Sequence, residues 1–172
     1  MQSEAWGFTS PEHTAIWGIS AGGILAGRAI TERPELFAAA MVEVGMLNPA
    51  RLEASANGDN SSKEFGSLDQ PGECEALLEM DAYLHVRDGE RYPAVLVTGG
   101  IHDPRVDPWE PSKLAARLEQ ANAATGAGGP TLLWIDEAGG HGVGEARAAR
   151  YPKVARVLGF GLWQTGHPEL QP

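Results

Sequence analysis

Gly18-Ile19-Ser20-Ala21-Gly22 sets one serine between two glycines, after an apolar run and before a helix-forming one. A serine on a sharp strand-to-helix turn projects its hydroxyl, and glycines two positions away on each side keep side chains from colliding there. The chemistry of such an arrangement is nucleophilic attack on an acyl carbon. The helix that follows aims its free N–H groups at the negative charge that develops on oxygen, which nominates the backbone N–H of Ala21 as an oxyanion donor. The same five residues also fit a plain glycine-rich turn inside a buried layer, so the rest of the chain has to decide.

A serine nucleophile needs a base and an acid to orient that base, each in a loop beyond the end of a strand. His141 follows "LLWIDEAGG" and lies between Gly140 and Gly142. Asp103 follows "AVLVTGGIH", and Asp107 and Asp136 are rival acids. Asp136 ends its strand rather than lying beyond it, and Asp107 sits almost at the next helix, which favours Asp103. Ser20, Asp103 and His141 stand in the chain order of an α/β-hydrolase triad. A metal site is the weaker competitor. His102, Asp103 and Asp107 are close in sequence, but nothing elsewhere completes a recognisable ligand set. His13, His85 and His167 read as surface histidines, and no cofactor or metal is expected.

The elements that must position these residues alternate. Apolar strands are expected over 14–20, 38–45, 92–100 and 131–140, and helices over 21–37, 108–125 and 150–166. Pro34 closes the first helix, and Gly22 with Gly23 in its first turn implies close packing against neighbouring backbone. Leu114, Leu118 and Ala121 share one helix face; Val154, Val157 and Leu158 share another. Residues 46–76 cluster Asn, Gly, Asp, Ser and Pro with no sustained period, and read as a long loop with one short helical turn at most. Continuous apolar strands alternating with helices predict an α/β fold with a mostly parallel sheet covered by helices on both faces.

With 172 residues the chain is expected to form one domain with a real core. A formal net charge of −10 and no basic run exclude a nucleic-acid binder. Cys74 is alone, so it forms no intrachain disulfide and no cysteine-based metal site. No basic and apolar leader opens the chain, and no apolar stretch has transmembrane length, so no membrane partner is expected. Localisation is left open, with the cytoplasm favoured for the chain as given and the periplasm open for a longer relative.

Several motifs in order extend the pattern beyond the triad: "GISAGGILAG", "RPELFAAAMVEVGMLN", "YPAVLVTGGIHDPRV" and "AGGHGVG". Over essentially all of residues 14–165 the chain resembles the C-terminal catalytic domain of the prolyl oligopeptidase family of serine peptidases. The resemblance implies a partial α/β-hydrolase fold, with Ser20 as nucleophile, His141 as general base and acid, and Asp103 as orienting carboxylate. It implies that short peptides are hydrolysed through an acyl-enzyme. It also makes Arg105 a substrate anchor that hydrogen-bonds a peptide carbonyl, where the residue alone reads as a solvated loop charge. Ser61 stands where the family carries a tryptophan that stacks on the substrate proline; this puts proline preference in doubt and leaves Phe65 as a ring that could line the pocket.

Only residues 1–13 precede the first strand. Family members carry a β-propeller and further strands there, including a tyrosine that supplies a second oxyanion donor. The chain is therefore expected to be an N-terminally truncated part of the catalytic domain, with an open sheet edge that invites a complementary N-terminal piece or self-association. Two other readings stay open: an esterase on the same scaffold, and a non-catalytic remnant that keeps the triad.

Overall fold

The computed structural model describes residues 7–171. The first six residues, part of the stretch read for a leader, lie outside the described residues. Four strands, β1 (Ala15–Ile19), β2 (Ala39–Glu43), β3 (Ala94–Gly100) and β4 (Thr131–Asp136), form one sheet in the order β1-β2-β3-β4 with every pair parallel. The expected α/β class is what the structure shows. Each strand is shorter than its apolar run, because the flanking residues turn away to begin loops.

Between the strands run helices α1 (Gly22–Glu32), α2 (Gly58–Phe65), α3 (Pro71–Met80) and α4 (Trp109–Thr125), and α5 (Arg147–Gln164) closes the sequence of helices. A sheet that grows in one direction through crossovers of one hand puts its connecting helices on one face. Ala26 and Ile30 of α1 and Leu114, Leu118 and Ala121 of α4 accordingly share one core with Ala40, Val42, Val95 and Val97. Strand residues one position out of phase point the other way. Ala39, Met41, Ala94 and Leu96 pack there against Val157 and Phe160 of α5. The central strands are buried on both faces, which is why they read as unbroken apolar runs.

The two outer strands differ. Trp17 and Ile19, aligned with Met41 and Glu43 and hence on the α5 face, are 41% and 47% exposed. Leu132 and Leu133 of β4 are also exposed.

Residues 46–76 are a correction. In place of a loop they hold a 3-10 helix at Pro49–Ala54, then α2 and most of α3. Helix α2 is polar, and serine hydroxyls satisfy its own carbonyls: Ser61 donates to Asn57 O and Ser62 to Gly58 O. Such a helix carries no apolar period for a sequence to reveal. Helix α5 begins three residues before its expected start and contains Pro152. His85 keeps part of its side chain exposed, with Nδ1 2.7 Å from Asp81 O. Among the described residues no helix is long and apolar enough to cross a membrane.

Candidate active site

The three loops that follow β1, β3 and β4 converge at the carboxyl ends of the strands. Ser20 follows β1 directly and lies in the left-handed region, with φ 56°, a conformation uncommon for a residue with a side chain. Its N–H donates to Glu43 O at 2.9 Å, and its carbonyl accepts from Gly23 and Met46 N–H at 2.8 and 3.0 Å. These bonds hold a conformation that by itself costs about 1–3 kcal/mol.

Two close approaches make the turn possible. A Cβ on Gly18 would lie 2.3 Å from Gly22 O, and one on Gly23 would lie 2.7 Å from Gly45 Cα. Gly22 behaves differently, since a Cβ there meets nothing within 4 Å. The packing expected of both helix glycines therefore belongs to Gly23 alone. Gly23→Ala is expected to destabilise the chain by about 1–3 kcal/mol, because backbone rather than a flexible side chain must move, and this outweighs the gain in helix propensity of up to about 1 kcal/mol. Gly22→Ala is expected to be neutral or slightly stabilising. Chemical denaturation of the two variants side by side checks the contrast.

His141 Nε2 lies 2.9 Å from Ser20 Oγ, and His141 Nδ1 lies 2.8 Å from Asp103 Oδ2. Asp103 is in turn fixed by its own loop, since its Oδ1 accepts the N–H groups of Arg105 at 2.8 Å and Val106 at 3.0 Å. Burial pushes the Asp103 carboxyl up, but the His141 hydrogen bond and the two backbone donors outweigh it, and the group sits below its ordinary value. The histidine loop is anchored where Gly139 and Gly140 carbonyls close on Gly100, too near for a Cβ, and where His102 N–H donates to Gly139 O.

The rival acids lie elsewhere. Asp136 takes the Lys153 ammonium at 2.5 Å, and Lys153 also reaches Glu145. Asp107 forms no bond with His141 among the described residues, whereas Asp103 does. Of the histidine-acid cluster considered for a metal, the Asp103 carboxylate is fully occupied by His141, Arg105 and Val106. Arg105 is exposed on the same loop, with no ion pair among the described residues. The N–H of Ala21, at the start of α1, forms no hydrogen bond among the described residues.

Beside the elbow lies an apolar wall that the sequence pattern did not single out. Met46, Leu52 and Val106 are buried together, with Ala21, Ile24 and Phe65 packed against them. Ser61 is 2% exposed and spends its hydroxyl on its own helix, while Phe65 of the same helix supplies a ring to this wall. On the other side of His141 a cleft of about 590 Å³ is lined by Trp17, Ile19, Glu43, Trp134 and Val143 among others. Trp17 Nε1–H donates to Glu43 Oε1 at 2.7 Å, and burial nevertheless raises the Glu43 carboxyl above its ordinary value.

A strained serine, a histidine within hydrogen-bonding reach and a buried carboxylate behind it are arranged for acyl transfer. Comparison with known proteins agrees. The model of the prolyl oligopeptidase family (Peptidase_S9) matches residues 2–167. The chain belongs to the prolyl oligopeptidase family. Among its relatives in that family, a prolyl endopeptidase of Elizabethkingia miricola is 31% identical over 166 residues, which is 96% of this chain and 23% of that protein. A prolyl endopeptidase of Dictyostelium discoideum is 28% identical over 154 residues, 89% of this chain and 20% of that protein. Oligopeptidase B from Leishmania major superimposes with a TM-score of 0.83 at 27% identity, over 94% of this chain and 22% of the other. The chain thus spans about a fifth of the length of these proteins.

Proposed function

We propose that this chain supplies the C-terminal part of a serine peptidase catalytic domain and hydrolyses short peptides through Ser20, His141 and Asp103. The observation that carries the reading is the 2.9 Å approach of His141 Nε2 to Ser20 Oγ, with His141 Nδ1 already held by Asp103. His141 takes the Ser20 proton as Oγ attacks the peptide carbonyl, and the C–O bond forms as the carbonyl π electrons move to oxygen. The Ala21 N–H donates to that oxyanion. His141 then returns the proton to the amine as the C–N bond breaks. Water hydrolyses the acyl-enzyme by the same route in reverse, which regenerates Ser20. His141 must be neutral to accept the first proton.

Arg105, exposed beside the acid and without an ion pair among the described residues, suits the binding of a peptide carbonyl of the substrate. The apolar wall of Met46, Leu52, Phe65 and Val106 suits an apolar side chain next to the scissile bond. The exposed Trp17 and Ile19 on outer strand β1 suit cover by a further, N-terminal piece of a catalytic domain, which would also bring a second oxyanion donor.

The test is hydrolysis of fluorogenic peptides that differ in the residue before the scissile bond, with a p-nitrophenyl ester in parallel. Peptide cleavage that favours apolar residues is the expected result. Ester hydrolysis without peptide cleavage would make the chain an esterase, and turnover of neither by a folded, monodisperse sample would make it non-catalytic on its own.

A further inference from the structure

Asp81 and Glu110 are both wholly buried, and the chemistry above uses neither. They grip the same loop, the one that follows β2. Glu110 Oε2 accepts the N–H groups of Leu47 at 2.9 Å and Asn48 at 3.2 Å. Asp81 Oδ2 accepts from Asn48 Nδ2 at 2.5 Å and Ala50 N–H at 3.1 Å, and its Oδ1 accepts from Leu84 N–H at 2.9 Å. Asp81 is thus partnered at both oxygens. Glu110 is not, because its Oε1 is buried with no hydrogen-bond partner among the described residues.

The other side of this loop touches the elbow. Met46 N–H donates to Ser20 O, and Gly45 Cα closes on Gly23. At its start Val44 has φ 42°, a conformation that a β-branched residue adopts only when its surroundings enforce it. The segment from Val44 to Asn48 is therefore strained at one end, anchored by a buried carboxylate at the other, and bonded to Ser20 in between.

We propose that Glu110 is a positioning residue for Ser20: it holds the Val44–Asn48 loop through two adjacent backbone N–H groups, and its protonation state sets how firmly that loop supports the elbow. The effect on rate rests on the reading of Ser20 as nucleophile; the effect on the loop does not.

The groups that face Glu110 explain why its charge is poised. Asp107, on the approach to α4, and Asp81, after α3, both disfavour ionisation. Lys113, further along α4, directs its ammonium to Asn48 Oδ1 at 2.5 Å and lies over the Tyr83 ring. Burial is the largest influence and, with the two aspartates, pushes the Glu110 carboxyl up to about 7 against the pull of the Leu47 and Asn48 donors. A raised carboxyl favours the neutral form in the fold. Its contribution to stability is full below the ordinary value of 4.5 and is lost as pH rises through about 7. The ionised form is the stronger acceptor for the two N–H groups, so deprotonation tightens the loop locally while it costs global stability.

The deciding experiment follows the amide resonances of Ser20, Met46, Leu47 and Asn48 in the full chain from about pH 5 to about pH 9, in wild type and Glu110→Gln. The rate of Ser20 labelling by a fluorophosphonate is measured on the same samples. In wild type, Leu47 and Asn48 titrate together with a midpoint near 7, and the same midpoint reaches Met46 and Ser20. Glu110→Gln, whose amide oxygen still accepts both N–H groups, removes the midpoint shared with Leu47 and Asn48 from the other amides and from the labelling profile, which then keeps only its need for a neutral His141. Glu110→Leu slows labelling about tenfold or more, the scale of a modest misplacement of a reacting group. Flat Leu47 and Asn48 amides, the same titration in Glu110→Gln, or Met46 and Ser20 amides that do not follow would each overturn the proposal. The wild-type titration needs no variant to fold. If wild type is not labelled, the nucleophile reading fails while the amides still decide the role of Glu110.

Discussion

Ser20→Ala is expected to abolish covalent labelling by a fluorophosphonate and to lower peptide turnover on the order of a millionfold, the loss typical when a serine nucleophile is removed. The structure explains why nothing else takes over. Ser20 Oγ is the hydroxyl bonded to His141 Nε2 at 2.9 Å, and the buried Ser61 donates within its own helix. The elbow should survive the change, because the bonds that hold its φ of 56° are made by backbone N–H and carbonyl groups. Active-site labelling, with circular dichroism to verify the fold, checks both halves. Labelling retained in the alanine variant would remove Ser20 from the mechanism.

Asp103→Asn is expected to cost about ten-thousandfold in turnover with the fold intact. The direction follows from which oxygen does what. Oδ1 accepts the Arg105 and Val106 N–H groups, so an asparagine must keep its carbonyl oxygen there. Its Nδ2 then replaces Oδ2, 2.8 Å from His141 Nδ1, and presents a donor to that nitrogen. The imidazole is forced to carry its proton on Nε2 and cannot accept the one from Ser20. The substitution also removes a carboxyl held below its ordinary value of 3.8. Such a group stabilises the fold above that value and loses its contribution as pH falls through the lowered one, so the variant should show a smaller acid destabilisation than wild type. Turnover together with acid denaturation monitored by fluorescence separates the two effects. Near-normal turnover in Asp103→Asn would sink the assignment of Asp103.

Much of this was legible in the chain. The central strands could be read because a parallel strand buried on both faces has no polar side to interrupt it, as in "AAMV" and "AVLV". Helix α4 could be read because Leu114, Leu118 and Ala121 recur on one face toward the sheet. Helices α2 and most of α3 could not, since they bury little, Ser61 and Gly58 in the first and Leu77 in the second, and so show no apolar face in the sequence. Gly22 and Gly23 look alike in sequence, and only the neighbouring loop tells them apart.

The sequence by itself determined the α/β class and the order of Ser20, Asp103 and His141, because strand burial and turn chemistry are written in local residue types. Tertiary structure decided which acid faces the histidine, because Asp136 is drawn to Lys153 while Asp103 is held by its own loop. It also decided the role of Glu110. Nothing in the sequence marks that residue at the start of α4, yet a strained loop some 60 residues earlier closes over it and denies it water. Desolvation is a property of what surrounds a residue in space, and no local pattern around Glu110 encodes it.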